Sequence, residues 1–342
     1  MSAAGVPVQT ARGLRRAGTL LHGARLPLAI TVALFVAMAG AGGALYDGFL
    51  SPQVFANLLI DNAFLCIAAV GMTFVILSGG IDLSVGAVIA FTTVLSASLV
   101  QHHGWSPLAA IPLVLLLGAL FGAFMGMLIQ RYRLQPFVVT LAGMFLARGA
   151  SYLISVDSIP IDDALYVAIA QFRVPIGAGA SLSIGALIAL ATVALGMWLA
   201  HSTRFGRGVY ALGGSEASAR LMGLPVAATQ VKVYAFSGFC SALAGVVCTF
   251  YMLSGYSLHA LGLELDAIAA VVIGGTLLAG GSGYVIGTLF GVLILGVIQT
   301  LIVFDGTLSS WWTRIVIGAL LLVFCLLQRL LTRRTPDSGA DA

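Results

Sequence analysis

Residues 63–91 read AFLCIAAVGMTFVILSGGIDLSVGAVIAF, in which two apolar runs flank the stretch SGGIDLS at 78–84. A membrane-spanning helix needs about 20 mostly apolar residues, so this stretch lies at the junction of two predicted crossings. Gly79 and Gly80 predict the end of the first helix because glycine disfavours a continued helix. Ser84 can cap the second helix.

The composition extends this interpretation to the whole chain. Its 342 residues are 60% hydrophobic and 8% charged, and 42 of them are glycine. Soluble domains carry about 25% charged residues, so the chain is predicted to be an all-α polytopic membrane protein. Ten windows are long enough to cross, at roughly 26–46, 54–78, 84–101, 106–130, 136–155, 180–201, 229–252, 264–280, 281–304 and 311–331. The eighth is short and rich in glycine, which is typical of a broken or re-entrant segment.

The basic residues predict the orientation. Ten crossings place both termini on one side, and the side richer in Lys and Arg is cytoplasmic. The predicted organisation is a cytoplasmic tail 1–25, a transmembrane permease domain 26–331 and a cytoplasmic tail 332–342, with an outside loop 156–179 and a long inside loop 202–228. Thirteen of the 16 basic residues are then inside: Arg12, Arg15, Arg16, Arg25, Arg131, Arg133, Arg204, Arg207, Arg220, Lys232, Arg329, Arg333 and Arg334.

Several functions are excluded by residue types that the chain lacks. Lys232 is the only lysine, so no G-x-x-x-x-G-K-[ST] loop exists and any ATP must be bound by a partner. The four cysteines lie in apolar runs, and the five histidines have neither H-E-x-x-H nor C-x-x-C spacing. We therefore predict no disulfide framework, metal site, cofactor, enzymatic activity or nucleic-acid partner.

Polar residues in the second window are candidates for the transport path, since charge within a bilayer is costly. Asn57 and Asp61 are four residues apart and share a helix face, and Asn62 follows directly. This face is predicted to border either a water-filled cavity or the outer headgroups.

Two further charged positions are candidates for a gate. Asp82, with Ser84 close by, precedes a helix start, where a carboxylate can accept backbone N–H groups. Its alternative role is a gate beside the path. Arg148 lies in the middle of the fifth window and needs a partner, for which Asp61, Asp82 and an outer carboxylate are the candidates.

An internal repeat is also suggested. A shift of 201 residues lays 68–86 over 269–287 with seven identities in nineteen, including Gly79 over Gly280 and Gly80 over Gly281. Chance produces similar matches in such a biased composition, so a true repeat and a chance match both stay open.

Three blocks carry a family resemblance: GMTFVILSGGIDLSVGAVIAF (71–91), FGRGVYALGGSEASARLMGL (205–224) and LELDAIAAVVIGGTLLAGGSGYVIGTLFG (263–291). Together they resemble the membrane permease of ribose-type ABC sugar importers, over about 50 to 330, and galactofuranose permeases look closest within that family. The resemblance implies about ten helices, as in the vitamin B12 importer permease. It also implies a dimer with a second permease subunit, identical or different, two cytoplasmic ATPase subunits and a periplasmic sugar-binding protein.

The inside loop is the predicted contact with the ATPase. The family usually has Asn after its two loop glycines, where this chain has Ser215. We expect a helix over 213–223 in which Gly213 and Gly214 allow a sharp turn, Ser215 caps and Glu216 favours the positive helix end.

The end of that helix is specified as well. Arg220 lies four residues after Glu216, and Gly223 can adopt the left-handed conformation that ends helices. Ala217 and Leu221 are expected to share a small apolar face that fits an ATPase groove. The alternatives for the chain are an ABC permease for branched-chain amino acids or another small solute, and an ion-coupled secondary carrier.

Overall fold

The computed structural model describes the backbone of residues 10–177, 179–307, 309 and 311–333, and side chains between Leu26 and Leu326 within those ranges. Residues 1–9 and 334–342, in the two predicted tails, lie outside it. The helices are α1 Thr10–Leu45, α2 Pro52–Asp61, α3 Ala63–Leu77, α4 Val85–Ala97, α5 Pro107–Tyr132, α6 Pro136–Ile154, α7 Ala164–Gln171, α8 Ile184–Ser202, α9 Arg204–Gly214, α10 Glu216–Leu221, α11 Val226–Met252, α12 Leu263–Ile273, α13 Val285–Asp305 and α14 Trp311–Arg333; a π-helical turn, Ser98–His102, extends α4.

A helix occupies each of the ten predicted windows. Seven helices of the described chain are long and apolar enough to cross a membrane, and the bent pair α2–α3 makes an eighth candidate. The apolar part of α14, Trp311–Leu326, is shorter. The eighth window is indeed short, because α12 has 11 residues and spans only about 16 Å at 1.5 Å per residue.

The second window is a broken span. Helices α2 and α3 meet at an angle of 59°. The break falls at Asn62, whose side-chain amide donates a hydrogen bond to the Leu58 carbonyl at 3.0 Å. A polar side chain inserted at a helix break is a common cause of a sharp kink.

Helix α11 forms the centre of the bundle. It packs along α3, α4 and α5, and small residues bring α5 and α11 close together. A Cβ added at Gly118 would lie 2.5 Å from the Cβ of Ala242 and 2.7 Å from the carbonyl oxygen of Gly238. Such contacts replace the hydrophobic effect as the main attraction between helices in lipid.

The described strands form two small sheets. Strand β1 (Ile159–Pro160) pairs with β4 (Ser254–Gly255), and β2 (Arg173–Gly177) pairs with β3 (Ala180–Ser183), both antiparallel. The all-α prediction therefore holds for the bundle and misses short pairings in its connections.

Both sheets lie at one end of the bundle, which we call the hairpin end, and α9 and α10 lie at the other, the α9–α10 end. Helix α11 begins at the α9–α10 end and finishes beside β4. The chain then runs back to the α9–α10 end. It does so through an irregular stretch 253–262, the short helix α12 and a loop 274–284 that contacts α9.

Candidate functional site

The predicted contact segment forms two helices instead of one. Helix α9 occupies Arg204–Gly214 and α10 occupies Glu216–Leu221. The predicted capped helix is α10, whose start at Ser215 is confirmed, but residues 213 and 214 belong to α9, because Ser215 is extended (φ −166°, ψ 111°) and separates the two helices. The chain therefore turns at Ser215.

Gly213 and Gly214 belong to the last turn of α9, so their expected role as a turn was wrong. A Cβ on Gly213 would collide with the Leu77 carbonyl oxygen and would lie 2.5 Å from the Gly281 amide nitrogen. Those two groups are themselves joined by a hydrogen bond of 2.9 Å. Gly213 is thus required for the close approach of α9 to Leu77 and Gly281. Nothing lies within 4 Å of a Cβ at Gly214.

The glycines matched by the repeat meet at this point. A Cβ on Gly280 would lie 2.8 Å from the Gly79 nitrogen and 3.2 Å from the Gly213 Cα. Loops 78–84 and 274–284 therefore touch each other and the end of α9. We call this contact of Gly79, Gly213, Gly280 and Gly281 the glycine junction.

Tyr210 adds a polar link that the sequence did not single out. Its hydroxyl donates a hydrogen bond to the Gly283 carbonyl at 2.8 Å. Burial raises the pKa of Tyr210 to about 12, so the hydroxyl keeps its proton at physiological pH. The shift of 201 residues already pointed to 280–281, but no sequence signal marked Tyr210.

Helix α10 has the predicted start and end. The Ser215 hydroxyl accepts a hydrogen bond from the Ser218 amide at 3.2 Å, and Glu216 and Arg220 form an ion pair of 2.5 Å. Gly223 is left-handed, with φ +72°. Both partners of the ion pair are exposed, and such pairs contribute about 0.5 kcal/mol or less.

The apolar surface of α10 faces outward. Ala219 is its buried residue and packs with Leu212 and Val226, while Ala217 is exposed and Leu221 is 90% exposed. Beside it opens a cavity of about 570 Å³, whose lining includes Gly79, Gly80, Arg133, Glu216, Ala217 and Arg220. This end of the bundle therefore presents an apolar surface with two arginines and one glutamate next to the glycine junction.

Asp82 is completely buried and ties loop 78–84 to α11. One carboxylate oxygen accepts hydrogen bonds from the Ser84 amide at 3.0 Å and the Ser84 hydroxyl at 2.6 Å, and the other accepts one from the Ser237 hydroxyl at 2.7 Å. The expected binding of backbone N–H by Asp82 is confirmed. The expectation for Ser84 was wrong, because its side chain donates to Asp82 and makes no cap hydrogen bond.

Arg148 binds backbone carbonyls and forms no ion pair with the residues that the structure describes. Its guanidinium donates to the carbonyls of Ser257 and His259 at 2.6 and 2.9 Å, and Glu264 attracts it electrostatically. The predicted partners were therefore wrong: Arg148 donates to carbonyl groups and not to Asp61, Asp82 or an outer carboxylate. The reason is that 253–262 is not helical, so its carbonyls need donors other than those of a helix.

Asn57 and Asp61 lie on one exposed face of α2, as predicted, and Asn62 is buried at the kink. The Asp61 carboxylate accepts a hydrogen bond from the Tyr251 hydroxyl at 3.0 Å. Asn57 accepts one from Gln53 at 2.7 Å. The predicted path and gate residues therefore separate into an exposed pair, Asn57 and Asp61, and four residues that hold structure: Asn62, Asp82, Ser84 and Arg148.

A bundle of apolar helices with a broken second span, tied to a two-helix segment at one end, defines a polytopic membrane protein. The family described as the permease component of the branched-chain amino acid transport system matches residues 54–325. No solved structure matches the chain.

The curated relatives indicate which branch of this broad permease family the chain resembles. The chain is 55% identical over 312 residues to the inner membrane ABC transporter permease protein YjfF of Escherichia coli (strain K12), covering 90% of this chain and 93% of the relative. It is 42% identical over 310 residues to the fructose import permease protein FruG of Bifidobacterium longum, covering 89% and 91%. It is 38% identical over 286 residues to the ribose import permease protein RbsC of Escherichia coli (strain K12), covering 82% and 88%.

The chain belongs to the ribose-type family of ABC sugar permeases, within the broader permease family that the matching description names. The resemblance carried by the three blocks is confirmed. The chain is accordingly a multi-pass protein of the inner membrane with a role in transport.

Proposed function

We propose that this chain forms the membrane path of a sugar importer that is driven by separate ATPase subunits. The observation that carries the proposal is the glycine junction, where α9 touches both membrane loops through Gly213. A partner that displaces α9 and α10 moves both loops with them, because backbone atoms in contact cannot yield independently. The fructose and ribose permeases among its relatives support a sugar as the substrate.

The residues proposed to carry the coupling are Gly213, Gly214, Ser215, Glu216, Ala217, Arg220 and Gly223. The exposed Leu221 and the neighbouring Arg133 extend this surface toward the 570 Å³ cavity. This apolar surface with charges of both signs fits an apolar groove of the ATPase whose rim carries a basic group for Glu216 and acidic groups for Arg133 and Arg220.

The proposed assembly also contains a periplasmic sugar-binding protein and a second permease subunit, which is identical or different. Both termini lie in the cytoplasm, α9 and α10 face the ATPase, and the hairpin end faces the binding protein. The chain crosses the bilayer ten times, with 253–284 as the irregular crossing, in a fold like that of the vitamin B12 importer permease. It performs no catalysis itself.

Cysteine labelling tests this orientation. Ser158 and Ser218 are both exposed and lie on opposite sides in the proposed topology. In cells with a permeabilised outer membrane, an impermeant thiol reagent should label Ser158→Cys and leave Ser218→Cys unlabelled until the inner membrane is opened. The reverse labelling pattern would refute the orientation.

Uptake by the reconstituted complex tests the function itself. Permease, ATPase and binding protein in vesicles should import galactofuranose, ribose or fructose only with ATP. Galactofuranose is included because the three motif blocks led us to expect a permease of the galactofuranose type. Import of leucine in place of sugar would favour the branched-chain amino acid alternative that the family description supports, and uptake driven by a proton gradient without ATP would favour a carrier.

Reversing one charge tests the coupling surface. Glu216→Lys should reduce ATP-driven uptake at least tenfold, because it replaces the carboxylate that would face a basic group of the ATPase with a like charge, while the exposed ion pair that it breaks contributes little stability. Glu216→Asp, which keeps the carboxylate at the same position, is the matched control and should transport normally. Normal uptake by Glu216→Lys at normal expression would exclude α10 as the contact.

A further inference from the structure

A second cavity lies at the hairpin end, between the ends of α7, α8 and α11 and the kink of α2 and α3. Its volume is about 260 Å³, and its polar lining consists of Gln171, Arg173, Ser183 and Tyr251. Pockets for drug-sized ligands measure about 300–1,000 Å³. The space is therefore suited to one small molecule, about the size of a monosaccharide.

The groups around Tyr251 set the chemistry of this cavity. The Tyr251 ring is 46% exposed, lies 6.3 Å from the Phe64 ring between centroids and is held by the hydrogen bond from its hydroxyl to Asp61. Because that proton is committed to Asp61, the phenolic oxygen is left as an acceptor toward the cavity. Asp61 thus acts as a positioning residue for Tyr251.

A neutral polyol satisfies this combination of groups better than an ion does. Its hydroxyls can donate to the Tyr251 oxygen and to the amide oxygen of Gln171, and accept from the Arg173 guanidinium. Its C–H face can lie on an aromatic ring, which offers apolar area and a negative π face. An α-amino acid would need a carboxylate facing the cavity for its ammonium group, and no Asp or Glu is among the cavity's described lining residues.

The exposed carboxylate of Asp61 indicates what surrounds this face of α2. A carboxylate on an apolar membrane helix faces water or protein, since lipid cannot solvate it. Asp61 and the cavity beside it therefore face away from lipid at the hairpin end, which is where the proposed function places arrival of the substrate.

We propose that this cavity, lined by Gln171, Arg173 and Tyr251, is a low-affinity binding site for a single monosaccharide at the entrance to the membrane path. The inference rests on the proposed function and adds the first contact that the sugar makes with the permease. Weak binding is required there, because passage depends on release as well as entry.

Saturation-transfer NMR on the detergent-solubilised complex of permease and ATPase, without binding protein, tests the site directly. The probes are D-ribose, D-fructose and L-leucine at roughly 1–10 mM, a range suited to millimolar affinity. The sugars should receive saturation and leucine should not. Absence of any sugar signal, or an equal signal from leucine, would overturn the inference.

Matched variants test whether the sugar's NMR signal comes from binding in this cavity. Tyr251→Phe should weaken sugar binding about three- to tenfold, as expected for one lost hydrogen bond, and Asp61→Asn should weaken it less because Tyr251 keeps an acceptor. Tyr132→Phe, an exposed tyrosine at the other end, should bind like wild type. Equal binding by Tyr251→Phe and Tyr132→Phe would place the sugar elsewhere.

Two controls separate sugar binding in this cavity from a structural role of Tyr251. The melting temperature and subunit composition of the Tyr251→Phe complex should match wild type; a loss of the second permease copy would instead assign this face to the dimer interface and overturn the proposal. If wild-type vesicles import sugar with ATP and Tyr251→Phe behaves identically in binding and uptake, the cavity is refuted while the importer function stands. If wild-type vesicles import no sugar, the importer function fails whatever the NMR shows.

Discussion

The two ends of the bundle are built from different kinds of contact. At the α9–α10 end, the glycine junction brings backbone against backbone around the Gly281 to Leu77 hydrogen bond. At the hairpin end, polar side chains join segments that the two small sheets leave unpaired, with Arg148 on two carbonyls and Tyr251 on Asp61. A side-chain contact can change its rotamer or partner, whereas a backbone contact cannot.

This difference suits the proposed importer, in which the ATPase moves the α9–α10 end and the substrate enters at the hairpin end. The junction has no side chain that can yield, so displacement of α9 is passed directly to loops 78–84 and 274–284. The hairpin end can rearrange locally because its hydrogen bonds can be exchanged for bonds to water or substrate. Substitutions at the two ends should therefore differ in the size of their effect and in how far through the structure the effect extends.

Gly213→Ala should have the largest effect. The added Cβ collides with the Leu77 carbonyl and separates it from the Gly281 amide. We expect a loss of about 3 kcal/mol in stability and at least a tenfold loss of ATP-driven uptake. Thermal melting in detergent and vesicle uptake measure these effects.

The control for this substitution is its neighbour. Gly214→Ala meets no atom within 4 Å and should melt like wild type. If both variants melt alike, the junction is not the rigid contact described.

Asp82→Ala should have the next largest effect, since it removes the acceptor of three buried hydrogen bonds and leaves the Ser237 hydroxyl and the Ser84 amide without it. A buried group without its partner costs about 1–3 kcal/mol, so we expect about 2–3 kcal/mol of destabilisation. Asp82→Asn keeps an acceptor oxygen and should lose less. Equal losses in thermal melting would mean that charge, not hydrogen bonding, gives Asp82 its role.

Arg148→Met should destabilise the protein by about 2 kcal/mol, because the carbonyls of Ser257 and His259 lose their charged donor. Hydrogen exchange should increase over 253–262 and remain unchanged over 274–284. Increased exchange at both segments would remove the distinction between a locally adaptable end and a rigid one.

Tyr210→Phe should have the smallest effect, about 1 kcal/mol, for the single hydrogen bond to Gly283. Between about pH 6 and 9, the difference in melting temperature between wild type and variant should be constant, since the raised pKa keeps the Tyr210 hydroxyl protonated throughout. A difference that disappears with rising pH in this range would show that the tyrosine ionises there.

The sequence was informative wherever one local rule decided the structure. Hydropathy located helices in all ten windows, and the short eighth segment followed from its glycines. The start and end of α10 followed from Ser215, Glu216, Arg220 and Gly223, because caps and i,i+4 pairs depend on neighbours in the chain. These features need no knowledge of tertiary contacts.

The candidate site was predicted less well because its residues come from distant parts of the chain. Gly213 was interpreted as a turn, since glycine permits turns and close approach equally well and only the opposing backbone distinguishes them. Arg148 was expected to find a carboxylate, but its partners are carbonyl groups, which every residue has and no sequence pattern marks.

The sequence by itself therefore determined the class of protein, the helical segments and the family, because hydropathy, capping and motif spacing are properties of neighbouring residues. Only the tertiary structure decided that α9 meets both membrane loops, that Asp82 and Arg148 hold backbone segments in place, and that Tyr251 and Asp61 meet beside a cavity. Asp61 and Tyr251 are 190 residues apart, and the packing of α3 against α11 brings them together. That packing depends on the shapes of two complete helix surfaces, which no local pattern encodes.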